Sequence, residues 1–310
     1  MKFFVTGGAG FVGSHLVDRL IKEGNVTIYD NLSLGKKEFI ERHLPNKSFR
    51  YIEADLLDLN KLKTEMEGHD VVFHLAANSD ISKGTKDTTI DLNQGIIATY
   101  NVLESMKLNG IKKIVFSSTS AVYGEADIIP TPESYGAKLP ISLYGAGKLA
   151  GEALISAYCH LYGMQAWIFR FANIIGERST HGVMFDFINK LRKNPKELEI
   201  LGDGKQKKPY LYVKDCVDGM IYGFKHANDG VNVFNLGCDS NTNVDHIAKI
   251  VIEEMNLKNV NIIHTGGKRG WKGDVPFVDF DTSKMRNIGW KPSLGSDGAV
   301  KKAIKIYLHK

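Results

Sequence analysis

The sequence predicts an α/β protein built on a doubly wound parallel (Rossmann) sheet, followed by a smaller mixed α/β domain. Three observations predict it. Short β-branched or aromatic runs alternate with longer segments of helical periodicity over the first 172 residues, a glycine-rich turn follows the first run directly, and an acidic residue closes the second.

Strands are expected at Lys2–Thr6, Val26–Asp30, Ser48–Ala54, Val71–Leu75, Lys112–Ser117 and Gln165–Ala172. After the first of them, Phe11–Glu23 sets Val12, Leu16, Leu20 and Ile21 on one side of a helix. Asp91–Leu108 and Leu143–Tyr162 are long enough to be crossover helices. A sheet so connected binds ligands at the carboxyl ends of its strands, so chemistry is sought there. After Asn173 the rhythm changes, with helices expected at Val183–Lys193, Val244–Met255 and Ala299–Leu308 among short strands and Gly- and Lys-rich loops. This division predicts a dinucleotide domain over 1–172 and a substrate domain over 173–310, the segment around 207–237 packing back on the first. No Pro-rich linker separates them, and a cleft between the two is expected.

Composition narrows the function classes. At 310 residues, 43% apolar and 24% charged, the chain has the make-up of a globular protein and not of a disordered or fibrous one. Its net charge of +5 comes from dispersed, mostly lysine residues, which argues against a nucleic-acid partner. Cys159, Cys216 and Cys238 are an odd number without disulfide or metal spacing. The apolar stretch Phe3–Val5 is too short for a signal peptide, and no run approaches the ~18–20 apolar residues of a membrane span. A cytoplasmic protein without membrane partner is expected. His181, His226, His246 and His264 lack metal-ligand spacing, so no metal site is expected, and Trp167 and Trp290 are expected to pack.

The turn Thr6-Gly7-Gly8-Ala9-Gly10-Phe11-Val12-Gly13 has glycines where a tight turn, a close approach to pyrophosphate and helix-on-strand packing require them. The N–H groups at the helix start, at Phe11, Val12 and Gly13, can bind the phosphates. Asp30 follows at the interval of the group that holds the adenosine ribose hydroxyls, and its charge would repel a 2′-phosphate, so the expected cofactor is NAD. Asn31 adjoins it. Asp55 and Leu56 after the third strand are candidates for the adenine edge, and Leu75, Ala76 and Ala77 after the fourth for the ribose and pyrophosphate.

Tyr144 and Lys148, four apart at the start of a helix, share one face. An ammonium near a phenol favours phenolate and is expected to lower the Tyr144 pKa, making it a general base and acid. Ser117, Ser118 and Thr119 end the fifth strand, and the Thr119 hydroxyl can bind the same substrate oxygen.

Together with His74-Leu75-Ala76-Ala77, Ser118-Thr119-Ser120-Ala121-Val122-Tyr123-Gly124, Arg170-Phe171-Ala172-Asn173, Tyr210-Leu211-Tyr212-Val213-Lys214-Asp215 and Arg269-Gly270-Trp271-Lys272-Gly273-Asp274, these motifs resemble the extended short-chain dehydrogenase/reductases. The likeness is to their nucleotide-sugar epimerase branch, and within it to archaeal-type UDP-glucose 4-epimerases. The resemblance implies a catalytic set of Thr119, Tyr144 and Lys148 and a UDP-sugar substrate. It also implies substrate contacts from Ser79, Asn173, Lys208 and Arg269, and a homodimer formed through Asp91–Leu108 and Leu143–Tyr162.

Four departures qualify it. Ser120 and Ala121 stand where dTDP-glucose 4,6-dehydratases carry an Asp-Glu pair, so elimination of water lacks its acid and base. Gly95 replaces a usual Asn, whose contact falls to Asn93 or Gln94 if it is kept. Lys208 takes the place of a diphosphate-gripping Arg, without the bidentate fork, and a second such Arg is displaced to Arg269. Val278 aligns with a position that limits bulk at sugar carbon 2, which would admit N-acetylated sugars. The implied activity is NAD-dependent interconversion of UDP-glucose and UDP-galactose through a 4-keto intermediate. A UDP-glucuronate 4-epimerase or decarboxylase, or a cofactor-releasing reductase, would use the same set. A non-catalytic NAD-binding regulator would have no need of it.

Overall fold

Apolar residues on both faces of successive short strands bury a parallel sheet on two sides. The computed structural model describes residues 1–309. In it β1 (Lys2–Thr6), β2 (Asn25–Asp30), β3 (Phe49–Glu53), β4 (Val71–His74), β5 (Lys113–Thr119) and β6 (Gln165–Phe171) join Val231–Leu236 in a seven-stranded sheet. Its order is Val231–Leu236, β6, β5, β4, β1, β2, β3. The pairings from β3 through β5 are parallel. Hydrogen bonds from Ala166 N–H to Gly230 O and from Ala172 N–H to Leu236 O advance together along the outermost pair, the parallel pattern again. Strand order reverses between β1 and β4, which makes the carboxyl ends at Thr6 and His74 the switch point where such sheets bind ligands.

Side-chain alternation assigns the faces. Phe4, Val72, Ile114 and Ile168 share a core with Leu62, Met66, Val102, Leu103, Met106, Ile155 and Cys159. On the other face Phe73 packs edge-on against Phe3 at 6.0 Å and Phe224 at 5.7 Å, and Phe224 against Trp167 at 4.8 Å. All six expected strands form, within two residues at each end. Val231–Leu236 was not among them because Asn232 and Asn235 interrupt its apolar pattern. Both are buried, and the Asn232 amide donates to the carbonyls of Ala166 at 3.1 Å and Asp229 at 2.7 Å.

Three helices differ from expectation by more than one residue, the last of them beginning at Ser296 rather than Ala299. The first spans Phe11–Leu20 and stops short of Glu23, because the N–H groups of Glu23 and Gly24 fold back onto the Leu20 carbonyl. The expected Asp91–Leu108 helix is instead Thr88–Asp91, a π-helical stretch Leu92–Ile97, and Ala98–Leu108. Gly95 lies in the π stretch, where a Cβ would meet Gly147 Cα at 3.5 Å, while a Cβ on Gly147 would meet Asp91 O at 3.3 Å. The absent side chains let this segment and Leu143–Tyr162 touch backbone to backbone.

A proton inventory fixes the polar chain beneath that break. Thr99 Oγ1 donates to Gly95 O at 2.6 Å, so it accepts from His74 Nε2–H at 3.0 Å. His74 Nδ1 then accepts from the Thr6 hydroxyl at 2.7 Å, and Thr6 Oγ1 accepts from Ala76 N–H at 3.3 Å. Burial, with Lys148 second, pulls the imidazole down to about 3, so it stays neutral in one tautomer.

The chain divides into two compact units. One holds Met1–Val122, Ser142–Arg170 and Met220–Phe234; the other holds Tyr123–Ile141, Phe171–Gly219 and the chain from Asn235 onward. In the second, Asn173–Ile175 pairs in parallel with Tyr210–Tyr212, Glu197–Ile200 in parallel with Asn261–His264, and Lys207–Lys208 antiparallel with Thr242–Asn243. Its helices include Val183–Lys193, Val244–Glu254 and Ser296–Leu308. Residues 123–141 belong to it through Tyr123 OH to Asn235 Oδ1 at 2.6 Å and Asn235 Nδ2 to Thr131 O at 2.9 Å. The three cysteines are buried free thiols, and no helix among the described residues is long and apolar enough to cross a membrane.

Thr99→Val orphans the buried His74 Nε2–H, and is expected to cost about 1–3 kcal/mol in urea unfolding. An unchanged unfolding midpoint would show that the polar chain is not coupled to the fold.

Candidate active site

The dinucleotide turn sits at the switch point. Gly7 has φ +70°, and a Cβ there would lie 2.7 Å from Ala76 N; one on Gly13 would lie 2.0 Å from Gly7 O. The helix starting at Phe11 has no side-chain cap and no acidic residue in its first turn. Its leading N–H groups therefore have no helical acceptor and no acidic side chain of the helix's own first turn to repel a phosphate. The close approach also sets Ala76 against Gly7, and Leu75, Ala76 and Ala77 are half-buried beside it.

Asp30 is oriented by the backbone. Its Oδ2 accepts from Ala9 N–H and its Oδ1 from Leu32 N–H, both at 2.9 Å, the latter holding Leu32 at φ +57°. Burial pushes the carboxyl up and these two donors oppose it. Each oxygen keeps a second acceptor site for a ribose hydroxyl. Asn31 reaches Asp55 Oδ2 at 2.8 Å, while Asp55 Oδ1 takes Leu57 N–H at 2.9 Å. Gln94 Nε2 stands 3.5 Å from both Asp55 oxygens, so it faces the adenine-edge candidate. Leu56 is buried, its carbonyl accepting from Asn101 Nδ2 at 2.8 Å. This glycine cradle, open helix start and carboxylate fit NAD, which Gly7, Gly10, Phe11, Val12, Gly13 and Asp30 would hold.

The helix Leu143–Tyr162 carries the catalytic candidates Tyr144 and Lys148 to the end of β5. Ser142 caps the helix Leu143–Tyr162, its hydroxyl accepting from Gly145 N–H at 3.1 Å. Lys148, one turn past Tyr144, donates to Ser117 O at 2.6 Å and lies 4.6 Å from the centre of the Phe116 ring. Thr119 hydrogen-bonds Tyr144. The acid–base poise corrects the sequence expectation. In the chain itself burial pushes the Tyr144 phenol up to about 12, with Thr119 opposing and Asp91 adding to the rise. Burial likewise pulls Lys148 down to about 7, opposed by Glu152. Desolvation disfavours each charged form and outweighs the pairing that spacing alone suggested.

In the second unit Asp274 gathers two of the predicted substrate residues. Lys208 Nζ pairs with its buried carboxylate at 2.5 Å and lies 5.2 Å from the Trp271 ring centre. Arg269 donates to its carbonyl and pairs with Glu125 at 2.7 Å. Val278 N–H donates to Lys207 O at 3.1 Å; Val278 lies outside the named strands, beside the Lys207–Phe277 bridge. Asn173 hydrogen-bonds Tyr210, whose phenol burial pushes up to about 12. Ser79 is exposed. Sequence reasoning missed Asp274 as the partner of Lys208, and Asp91 and Glu152 as charges acting on Tyr144 and Lys148; for Glu152 the four-residue step from Lys148 was the available signal.

The profile of the NAD-dependent epimerase/dehydratase family matches residues 3–237. The chain belongs to this family. It is 33% identical to a putative UDP-glucose 4-epimerase of Methanocaldococcus jannaschii, over 97% of this chain and 96% of that protein. A crystal structure of UDP-galactose 4-epimerase superposes with a TM-score of 0.90 at 39% identity, covering 100% of this chain and 99% of that one. A UDP-glucuronic acid 4-epimerase from Bacillus cereus, solved with UDP-glucuronic acid and NAD, superposes at 0.89 and 28% identity, covering 100% of each chain.

Since burial holds the Tyr144 phenol well above neutrality, the NAD-free protein and its Tyr144→Phe variant are expected to show the same phenolate absorbance up to pH ~10. A phenolate titrating near neutral pH in the native chain and absent from the variant would contradict that poise.

Proposed function

We propose that the protein interconverts UDP-glucose and UDP-galactose by oxidation and re-reduction at sugar carbon 4, with NAD retained through the cycle. The observation that carries this reading is the convergence of Thr119, Tyr144 and Lys148 where β5 ends against one helix face, followed by Ser120 and Ala121 in place of an acid–base pair for dehydration.

Bound NAD supplies reversible hydride acceptance and a positive charge that favours the phenolate. Tyr144 takes the proton from the sugar 4-hydroxyl and returns it after the 4-keto sugar has presented its other face. Thr119 holds the same oxygen. Lys148, as an ammonium, stabilises the Tyr144 anion and binds the nicotinamide ribose. In the second unit Lys208, Arg269 and Asn173 are assigned to the UDP diphosphate, with Lys208 exchanging its Asp274 partner for phosphate oxygen. The exposed apolar residues Ile97, Tyr100, Leu108 and Leu161 on the two crossover helices are assigned to contact with a second copy of the chain, which sedimentation would report as a dimer.

A second reading, a UDP-glucuronate 4-epimerase or decarboxylase, draws support from the likeness to the Bacillus cereus protein and uses the same three residues. A proton NMR time course with UDP-galactose and no added cofactor separates the two. Anomeric signals of UDP-glucose are expected; no product, even with NAD added, would transfer the assignment to the uronate. Tyr144→Phe is expected to keep NAD and lose about 100-fold or more in turnover, and near-native turnover would remove Tyr144 from its role. Val278→Tyr is expected to abolish turnover of UDP-N-acetylglucosamine alone, whereas equal loss with both sugars would show that Val278 does not gate carbon 2.

A further inference from the structure

The helix Leu143–Tyr162 meets the end of β5 at three successive turns. Thr119 bonds Tyr144, the Ser117 carbonyl takes Lys148, and Ser118 Oγ donates to Glu152 Oε1 at 2.5 Å. The third rung reaches farther than the other two. Arg170, near the end of β6, grips Glu152 through Nε to Oε1 at 2.9 Å and Nη2 to Oε2 at 2.6 Å. Arg170 is 3% exposed and Glu152 7%. A buried ion pair is a poor source of stability, since apolar residues of like volume often do as well or better, so this one calls for another reason.

The reason lies in the charges around Lys148. From β4 it faces His74, which is neutral; from β5 it faces the Phe116 ring and the Ser117 carbonyl. Its own helix supplies Tyr144 and Glu152. Asp91, closing Thr88–Asp91, acts on Tyr144, and Arg170 from β6 is bound up with Glu152. Within this set Glu152 is the anion that opposes the loss of the Lys148 proton to burial.

We propose that Glu152 is a positioning residue of the reaction: tied to Ser118 and Arg170, it fixes the register of the catalytic helix on β5 and keeps Lys148 an ammonium. The proposal rests on the activity assigned above only for its kinetic consequence. A Lys needed as ammonium loses function as pH rises through its titration, so without Glu152 that loss comes at lower pH.

The test uses the full-length protein carrying carbon-13 lysine, with the Lys148 Cε signal assigned by its absence in Lys148→Arg. Glu152→Gln with Arg170→Gln removes both charges of the pair, so that neither of the two partners is left behind as an unpaired ion. In that variant the Lys148 titration midpoint is expected to fall by about one pH unit or more, and the basic limb of kcat/KM for UDP-galactose to move with it. Should the double variant fail to fold, Glu152→Asp keeps the charge and the Arg170 partner but withdraws the carboxylate by one methylene. A smaller shift of the same sign is then expected. A Lys148 midpoint that does not move in the folded variant measured overturns the proposal. The NMR titration needs no substrate, so it reads the Lys148 proton equally well in a protein that lacks epimerase activity.

Discussion

The close approach of Leu143–Tyr162 to β5 and to the π-helical stretch is the constraint on which the rest of the site depends. It is possible because glycines stand where the helix meets its neighbours: a Cβ on Gly151 would lie 2.9 Å from the Phe116 ring, and Gly147 faces Gly95. A helix drawn in this far must spend its inward face on the strand end, and the residues found there are Tyr144, Lys148 and Glu152 against Thr119, Ser117 and Ser118. The same packing that fixes their positions removes water from them. Burial raises the phenol and lowers the amine, so position and proton affinity share one cause.

The dinucleotide end of the sheet is joined to the π-helical stretch beside this helix by hydrogen bonds running from Ala76 N–H through Thr6, His74 and Thr99 to Gly95 O. Each group in that chain has one arrangement of its protons, and His74 does not change charge in the working range. The glycine turn, the carboxyl end of β4 and the break in the crossover helix are therefore held in fixed relation. Electrostatics follow the same division of labour: the helix carries no acidic residue in its first turn, while Asp30, closing β2, is held to the glycine turn by Ala9 N–H and to Leu32 N–H.

Much of this could be read from the residues. The helix Leu143–Tyr162 has its expected bounds because Ser142 caps it and Gly163 closes it in the left-handed region. The glycine turn and Asp30 were legible because backbone geometry and ribose chemistry allow few residue types at those places. The π stretch was not, since helical periodicity does not record a shift of one residue in hydrogen bonding. Nor were the directions in which Tyr144 and Lys148 shift, because spacing shows which charges are neighbours but not how much water they lose. Lys208 was read in sequence as a diphosphate contact; only the fold brings buried Asp274 to it across the chain.

The central claim is that carbon 4 is oxidised and re-reduced in place while Tyr144 moves only the hydroxyl proton. UDP-galactose bearing deuterium at carbon 4 tests it most directly. Followed by mass spectrometry in ordinary water with no added cofactor, the UDP-glucose formed is predicted to keep the deuterium at carbon 4. Product in which that deuterium has been replaced by solvent hydrogen would contradict the account.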